Sequence, residues 1–351
     1  MNTPRPVFRK FPLPGMNFPW LVCCLLLLAG GLCPAASSAR QPGRTDLIWP
    51  RPPAPARIRY VQSITSPQDL GIRRSLWGRA ADLFTGQDRR ALVARPFGVS
   101  ADREGNLLVA DTAANAVLWF DVARRRFQSW EKIGPYRLVS PVAVARHENT
   151  FYVADSALIV VLGFDIKGQL RQTLTNRLER PAGLAVVGDQ IFVTDSGAHQ
   201  VVVFDTRGRF LRCFGTRGTG PGEFNFPTHI AADSAGRLLV TDSMNNRVQV
   251  LDQSGQSLGV IGSAGDGSGH FSRPKGLAVD EHGHVYVADA LFDNIQVFDT
   301  SGEFLLHFGQ AGQEPGEFWM PGGIAVGGGN RLYVADTFNR RVQVFEYIGQ
   351  P

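Results

Sequence analysis

Three sequence markers recur six times in phase and predict an all-β protein, a six-bladed β-propeller of four-stranded antiparallel blades. The first marker is a proline that opens each copy, at Pro96, Pro141, Pro181, Pro227, Pro274 and Pro321. The second is an aspartate that closes a Val-x-Asp segment, at Asp111, Asp155, Asp195, Asp242, Asp289 and Asp336. The third is Phe-Asp or a close variant, beginning nine residues after each aspartate. Blades packed radially bury each other's apolar faces, which explains why one motif repeats.

Each copy contains four short strands, which are clearest in the fifth copy. The segments GLAVD (276–280), VYVAD (285–289), NIQVFD (294–299) and EFLLHF (303–308) predict strands A, B, C and D of one blade. Gly283 lies in the A–B turn and Gly302 in the C–D turn. Glycine adopts the positive φ of such turns without strain, so both positions favour tight hairpins.

The two ends of the chain predict how the ring closes. The sixth copy runs through RVQVFEYIGQP and stops after its third strand. Upstream of the first copy, ARIRYVQSI (56–64) is similar to the outer strands of the other copies. We therefore expect residues 58–64 to supply the missing outer strand and leave no open sheet edge. A short helix or lid is expected over residues 75–86.

Composition divides the chain into four segments. Residues 1–39 form a signal peptide or membrane anchor, 40–56 a basic Pro-rich linker, 57–94 the closing strand with a short helical connection, and 95–351 the propeller. The six blades begin near residues 95, 140, 180, 226, 273 and 320. Residues 40–95 hold eleven arginines and four aspartates, whereas residues 96–351 hold 22 basic and 27 acidic side chains. This distribution disfavours nucleic acid as a partner of the propeller. The basic arm either contacts anionic lipid headgroups or serves as a solubilising segment.

An apolar run near the N-terminus predicts export. Residues 17–36 follow a basic stretch and precede small residues, as in a secretory signal. Three alternatives stay open, namely cleavage near Ala39, lipid attachment at Cys33, and retention as a membrane anchor. We expect a periplasmic or envelope-attached protein, or otherwise a secreted one. Cleavage would leave Cys213 as the one remaining cysteine, so the fold would need no disulfide.

Three segments carry a resemblance to the NHL-repeat family of six-bladed propellers. They are FPTHIAADSAGRLLVTDSMNNRVQVLD, RPKGLAVDEHGHVYVADALFDNIQVFD and MPGGIAVGGGNRLYVADTFNRRVQVFE. The chain with its Pro-rich arm is similar to the exported or lipoprotein-like members in bacteria. Some of those accompany multihaem cytochromes, so the resemblance implies an association with envelope redox systems.

Two recurrent features are interpreted as structural. The six aspartates lie before turns rich in Ser, Thr and Asn, where a carboxylate accepts backbone N–H groups and pairs with a nearby arginine. The Gly-rich segments 215–227, 262–274 and 309–321 lack the Gly-Lys-Ser/Thr of a phosphate-binding loop and precede strands. They are interpreted as crossovers between blades. Phe224, Phe271 and Phe318 are expected to wedge between neighbouring sheets.

The candidate binding site lies where the first strand of each blade begins. The residues two positions after the opening prolines are Gly98, Ala143, Gly183, His229, Gly276 and Gly323, so His229 departs from a ring of small residues. The predicted binding face comprises His229, Lys275, Asn245, Asn246, Phe292, Asp293, Phe338, Arg180 and Arg273, with Arg95 on the same rim. It would bind a protein or, alternatively, a small ligand. The competing interpretation is that His229 plugs the channel and hydrogen-bonds a backbone carbonyl.

No catalytic residue, metal or cofactor is predicted. The resemblance raises zinc-dependent amidating lyases, which need several histidines on one metal; His199, His229 and His270 are a conceivable set but are spread over three blades. Lactonase-type propellers need acidic and Asn ligands where the inner strands are mostly apolar, and no Gly-x-Ser-x-Gly elbow occurs. The sequence favours a non-catalytic extracytoplasmic scaffold that binds a protein partner. A metal-dependent lyase or hydrolase is the alternative, and an RNA-binding propeller is a disfavoured third.

Overall fold

The computed structural model describes residues 47–72 and 92–349 and confirms the predicted six-bladed propeller. The described chain begins with β1 (Ile48–Trp49), β2 (Ile58–Ile64) and a 3₁₀ turn (Pro67–Leu70). The expectations of an N-terminal export segment and of a helix over residues 75–86 lie outside the described residues. Within the described ranges, no helix is long and apolar enough to cross a lipid bilayer.

The first three blades each contain four antiparallel strands, named A to D from the channel outward. Blade 1 consists of β3 (Pro96–Ala101), β4 (Leu107–Asp111), β5 (Ala116–Asp121) and β6 (Arg126–Trp130), followed by the small hairpin of β7 (Lys132–Ile133) and β8 (Tyr136–Arg137). Blade 2 consists of β9 (Pro141–His147), β10 (Thr150–Asp155), β11 (Val160–Phe164) and β12 (Leu170–Leu174). Blade 3 consists of β13 (Pro181–Val187), β14 (Gln190–Asp195), β15 (Gln200–Asp205) and β16 (Phe210–Phe214).

The last three blades carry the most regular repeats. Blade 4 consists of β17 (Pro227–Ala232), β18 (Leu238–Asp242), a 3₁₀ turn (Ser243–Asn245), β19 (Arg247–Leu251) and β20 (Ser257–Ile261). Blade 5 consists of β21 (Pro274–Val279), β22 (Val285–Asp289), β23 (Asn294–Phe298) and β24 (Phe304–Phe308). Blade 6 consists of β25 (Pro321–Gly327), β26 (Arg331–Asp336) and β27 (Arg341–Tyr347), completed by β2 and β1.

The ring closes as predicted, and the closing blade contains one strand more than expected. β2 pairs antiparallel with β27, from Ile58 opposite Tyr347 to Ile64 opposite Val342. β1 then pairs with β2 as a fifth strand that was not predicted. Its Trp49 ring lies 5.9 Å from the Phe308 ring, so this strand packs against blade 5 as well as blade 6.

Aromatic wedges from the crossovers fill the spaces between blades. Phe224, Phe271 and Phe318 are fully buried, as expected. Phe271, for example, packs in one cluster with Leu239 of blade 4 and Val287 of blade 5. A Cβ at Gly262 would lie 2.2 Å from the Phe271 ring, so only glycine at this position leaves room for the ring.

The repeated aspartates anchor the top face, defined here as the face that bears the B–C loops and the crossovers. All six are fully buried. Asp289 accepts the backbone N–H groups of Ser272 at 2.7 Å and Arg273 at 3.1 Å from the preceding crossover. Asp336 adds an ion pair with Arg341 at 2.7 Å. The structural interpretation of these carboxylates is therefore confirmed.

Candidate functional site

The six A strands converge on a narrow ring at the top of the channel. A Cβ at Gly276 would lie 2.1 Å from the carbonyl oxygen of Gly322, and one at Gly183 would lie 2.9 Å from Cα of His229. Backbones this close leave no room for side chains between the strands. The ring therefore requires small residues, and His229 is the exception because its imidazole projects towards the Phe97 ring instead.

His229 is a buried histidine whose ring nitrogens have no protein partner. It is 9% exposed, and neither Nδ1 nor Nε2 forms a hydrogen bond with any described residue. The interpretation in which His229 hydrogen-bonds a backbone carbonyl is therefore wrong. Burial, with a smaller contribution from the charge of Lys275, lowers the pKa of His229 to about 3. The imidazole is consequently neutral at physiological pH.

Phe97 covers His229 and links it to Lys275. The Phe97 and His229 rings are stacked with centroids 6.0 Å apart, and the Lys275 ammonium lies 5.4 Å from the Phe97 centroid. Phe97 belongs to blade 1, opposite blade 4 in a six-bladed ring, so this stack spans the channel. Burial, and secondarily the charge of Arg273, lowers the pKa of Lys275. These three side chains are called the channel plug below.

Two predicted binding residues instead latch neighbouring blades together. Asp293 accepts the backbone N–H of Met320 at 2.6 Å. The side-chain amide of Asn246 is assigned in the orientation in which its nitrogen faces acceptors, and this nitrogen then donates to the carbonyl of Ser272 at 2.7 Å. Both residues have positive φ near 50°, as does His199, whose Nδ1 accepts from Phe226 N–H at 3.1 Å. These side chains are engaged in contacts between blades.

The remaining predicted residues divide between the crossovers and the rim. Asn245 donates to the carbonyl of Gly218 and to Asp242, each at 2.8 Å, and so fixes its crossover. Phe292 occupies the equivalent position of blade 5, half-buried. Phe338, Arg180 and Arg273 are exposed on the rim. Of the predicted residues, those on the rim are therefore accessible to a partner. The channel plug lies directly beneath them.

Most of the exposed large apolar side chains of the top face lie in blades 4 to 6 and the crossovers that lead to these blades. The residues two positions after the repeated aspartates are Ala113, Ala157 and Gly197 in blades 1 to 3 but Met244, Leu291 and Phe338 in blades 4 to 6. The latter three are 49%, 51% and 41% exposed. Two crossover residues, Phe226 and Trp319, are also exposed, and the Trp319 ring lies 5.5 Å from that of Phe338. These five residues are called the apolar arc below, and only Phe338 was predicted.

Metal-binding side chains are not brought together on this face. The described residues contain no group of three or more His, Cys, Asp or Glu side chains that could hold a metal ion. His199 is engaged by Phe226, and Nδ1 of His270 lies 3.3 Å from the carbonyl oxygen of Ser268. His199, His229 and His270 are therefore not brought together as one metal site.

Comparison with known families agrees with the predicted repeats. The NHL repeat matches residues 224–251, 271–298 and 318–345, which fall in blades 4, 5 and 6. A second family, described as a 6-bladed beta-propeller, matches residues 169–237. The chain thus carries NHL repeats on a six-bladed propeller, as its sequence predicted.

Solved structures share this fold at low sequence identity. A catalytically inactive virginiamycin B lyase from Staphylococcus aureus with quinupristin is 15% identical with a TM-score of 0.55, covering 72% of this chain and 95% of that one. Hydrazine synthase of Kuenenia stuttgartiensis is 14% identical with a TM-score of 0.54, covering 73% and 96%. A protein of unknown function from Bacteroides thetaiotaomicron is 16% identical with a TM-score of 0.58, covering 72% and 69%. Identities this low show a common fold alone.

Proposed function

We propose that this chain, which carries NHL repeats on a six-bladed propeller, is a non-catalytic scaffold that binds a protein partner through its top face. The apolar arc is the observation that carries the proposal. It places five large apolar side chains in the loops and crossovers of blades 4 to 6. Blades 1 to 3 have alanine or glycine at the corresponding loop position, and their exposed large apolar residues on this face include Val139 and Ile159. Exposed large apolar side chains grouped on one face are typical of an interaction surface.

The chemistry of the arc and its surroundings indicates what the partner presents. Trp, Phe, Met and Arg are enriched at the centres of protein interfaces, and the arc with Arg95, which lies 5.3 Å over the Phe338 ring, supplies all four. Arg180, Arg273 and Lys275 add positive charge towards the channel. The complementary surface is an apolar anchor flanked by carboxylates.

The channel plug supports a binding role beside the arc. A buried imidazole with two unpaired nitrogens reduces stability, by about 1–3 kcal/mol for an unsatisfied polar group. A leucine or phenylalanine would fill the same space without that loss. A strained or unsatisfied polar group in a cleft is characteristic of functional sites. Rotation of Phe97 away from the axis would give a partner group access to His229.

The proposed location is outside the cytoplasm. The apolar run of residues 17–36, preceded by basic and followed by small residues, supports export. The bacterial proteins that the chain resembles make an envelope redox protein, such as a multihaem cytochrome, the partner class to look for first.

Affinity capture with matched variants tests the proposal. The bait is the full chain, incubated with the envelope fraction of its native host, and captured proteins are identified by mass spectrometry. The test variant is Leu291→Asp, in the arc. The control is Leu258→Asp, on the outer strand of blade 4, because the two leucines are 51% and 52% exposed. A partner retained by wild type and control but lost by Leu291→Asp is the expected result.

A second variant separates the plug from the arc. His229→Ala/Lys275→Ala is expected to weaken capture of the same protein if the partner reaches the channel. Equal capture by all variants would place the interface elsewhere and overturn the proposal. If the wild type captured nothing, the metal-dependent lyase or hydrolase alternative would take precedence, and stoichiometric zinc or calcium in the purified chain would support it.

A further inference from the structure

A second candidate site lies on the opposite face, where the Pro-rich arm crosses between blades 5 and 6. Arm residues, the outer strand of blade 5 and the end of β27 border a half-open cavity of about 850 Å³. Its lining combines apolar side chains, among them Pro50, Ala54, Leu305 and Ile348, with the polar side chains of Arg57, Tyr347 and His284. Leu305 and Ile348 keep 45% and 36% of their surface exposed. The volume is that of a pocket for a small molecule.

The histidine in this cavity is held in one orientation by a carboxylate. Nδ1 of His284 lies 2.8 Å from Oδ2 of Asp280, and Tyr286 donates its hydroxyl hydrogen to the same oxygen at 2.9 Å. The Tyr347 ring packs against the imidazole with centroids 4.5 Å apart. Because the carboxylate accepts from Nδ1–H, the neutral tautomer carries its lone pair on Nε2. Nε2 forms no hydrogen bond with any described residue.

Other blades show that holding the aspartate does not require histidine. At the same turn position, Asn106 of blade 1 donates Nδ2–H to Asp102 at 2.8 Å, and Arg237 of blade 4 donates Nε–H to Asp233 at 2.6 Å. All three side chains complete the same aspartate-centred turn. Of these three, the histidine performs this role and also lines the cavity.

We propose that this cavity binds a small apolar molecule that carries one O–H or N–H group, with Nε2 of His284 accepting that hydrogen. The apolar side chains of the lining account for the body of the ligand, and the imidazole held by Asp280 accounts for its polar group. The site lies on the face opposite the apolar arc, so it is independent of the proposed protein-binding function.

A pair of nearly isosteric probes tests the recognition of the hydroxyl. Binding of 2-naphthol and of 2-methylnaphthalene to the full chain is measured by fluorescence titration. One hydrogen bond predicts that the wild type binds 2-naphthol about two- to ten-fold more tightly. In His284→Asn, Nδ2 replaces Nδ1 as the donor to Asp280, as Asn106 does in blade 1. Oδ1 of Asn106 accepts the backbone N–H groups of Val122 and Ala123, so the same orientation in the variant would direct its amide oxygen to the following turn and not to a ligand. This variant is expected to bind both probes about equally.

Leu305→Glu provides the second test, because it places a charge in the lining at an exposed position where the fold tolerates it. Both probes are expected to bind it at least about ten-fold more weakly. The proposal is overturned if neither probe binds the wild type saturably, or if His284→Asn keeps the preference for 2-naphthol. Unchanged binding to Leu305→Glu would overturn it too, since the probes would then occupy another site.

Discussion

Replacing the buried histidine of the channel plug by an apolar residue is expected to stabilise the protein. His229 is 9% exposed, and both of its ring nitrogens lack a protein partner. His229→Leu preserves the approximate volume and removes the unsatisfied groups. At pH 7 we expect the free energy of unfolding to increase by about 1–3 kcal/mol. Guanidinium unfolding of the full chain, followed by tryptophan fluorescence, measures the change.

Acidification is expected to enlarge this difference. The folded-state pKa of His229, about 3, lies below the ordinary value of 6.5. Between these two values the unfolded chain binds a proton that the folded chain does not, so this contribution to stability is lost as the pH falls from 6.5 towards 3. The loss is about 1.4 kcal/mol per pH unit. His229→Leu lacks it, so its advantage should be roughly 2 kcal/mol larger at pH 5 than at pH 7.

A second histidine with the same burial provides the control. His199 is also 9% exposed, but its Nδ1 accepts the backbone N–H of Phe226. His199→Leu leaves that donor unsatisfied and places leucine at a positive φ, so it should destabilise the fold by about 1–3 kcal/mol. If both replacements destabilised, or if the wild type and His229→Leu responded equally to pH, the imidazole of His229 would have to be satisfied in solution and the reasoning would fail.

Two further predictions concern the packing that places the site. Phe271→Ala should lower the free energy of unfolding by about 3–5 kcal/mol, because it removes a fully buried ring that packs between blades 4 and 5. Guanidinium titration measures this change, and a loss of less than about 1 kcal/mol would contradict the wedge role. Gly276→Ala should lower the thermal unfolding midpoint strongly, because its Cβ would lie 2.1 Å from the carbonyl oxygen of Gly322. The control Gly259→Ala, whose Cβ would have no atom within 4 Å, should leave the midpoint nearly unchanged. Equal midpoints for the two variants would show that the inner ring can widen.

The architecture could be predicted from the sequence because every blade repeats the same short pattern of residues. A proline, a buried aspartate and an aromatic residue recur at fixed spacing, so six copies reinforce one interpretation. The closing strand was predictable for a related reason, since a propeller tolerates no open edge and one outer strand was missing at the C-terminus. β1 was not predictable from periodicity, because a two-residue strand beside a Pro-rich segment has none.

The binding face was only partly predictable because it depends on distances between blades. Asn246 and Asp293 are polar loop residues in the sequence, and their use as latches becomes evident only once the next crossover lies within hydrogen-bonding reach. Phe97 was missed although a signal existed. It directly follows an opening proline, as Lys275 does in blade 5, and the other blades have Val142, Ala182, Thr228 and Gly322 at that position.

In a repeat protein, the positions where all copies agree and those where one copy departs answer different questions. Agreement identifies what the fold requires, as with the six buried aspartates. A residue that occurs in one copy alone is not required by the fold, so its presence needs another explanation. His229 in a ring of small residues is the clearest departure, because the buried imidazole lowers stability without satisfying either nitrogen. His284 lies at a position where the copies vary, since asparagine performs its structural role in blade 1 and arginine in blade 4, so the fold does not require histidine there. Both therefore remain the first residues to test for binding, on opposite faces of the same ring.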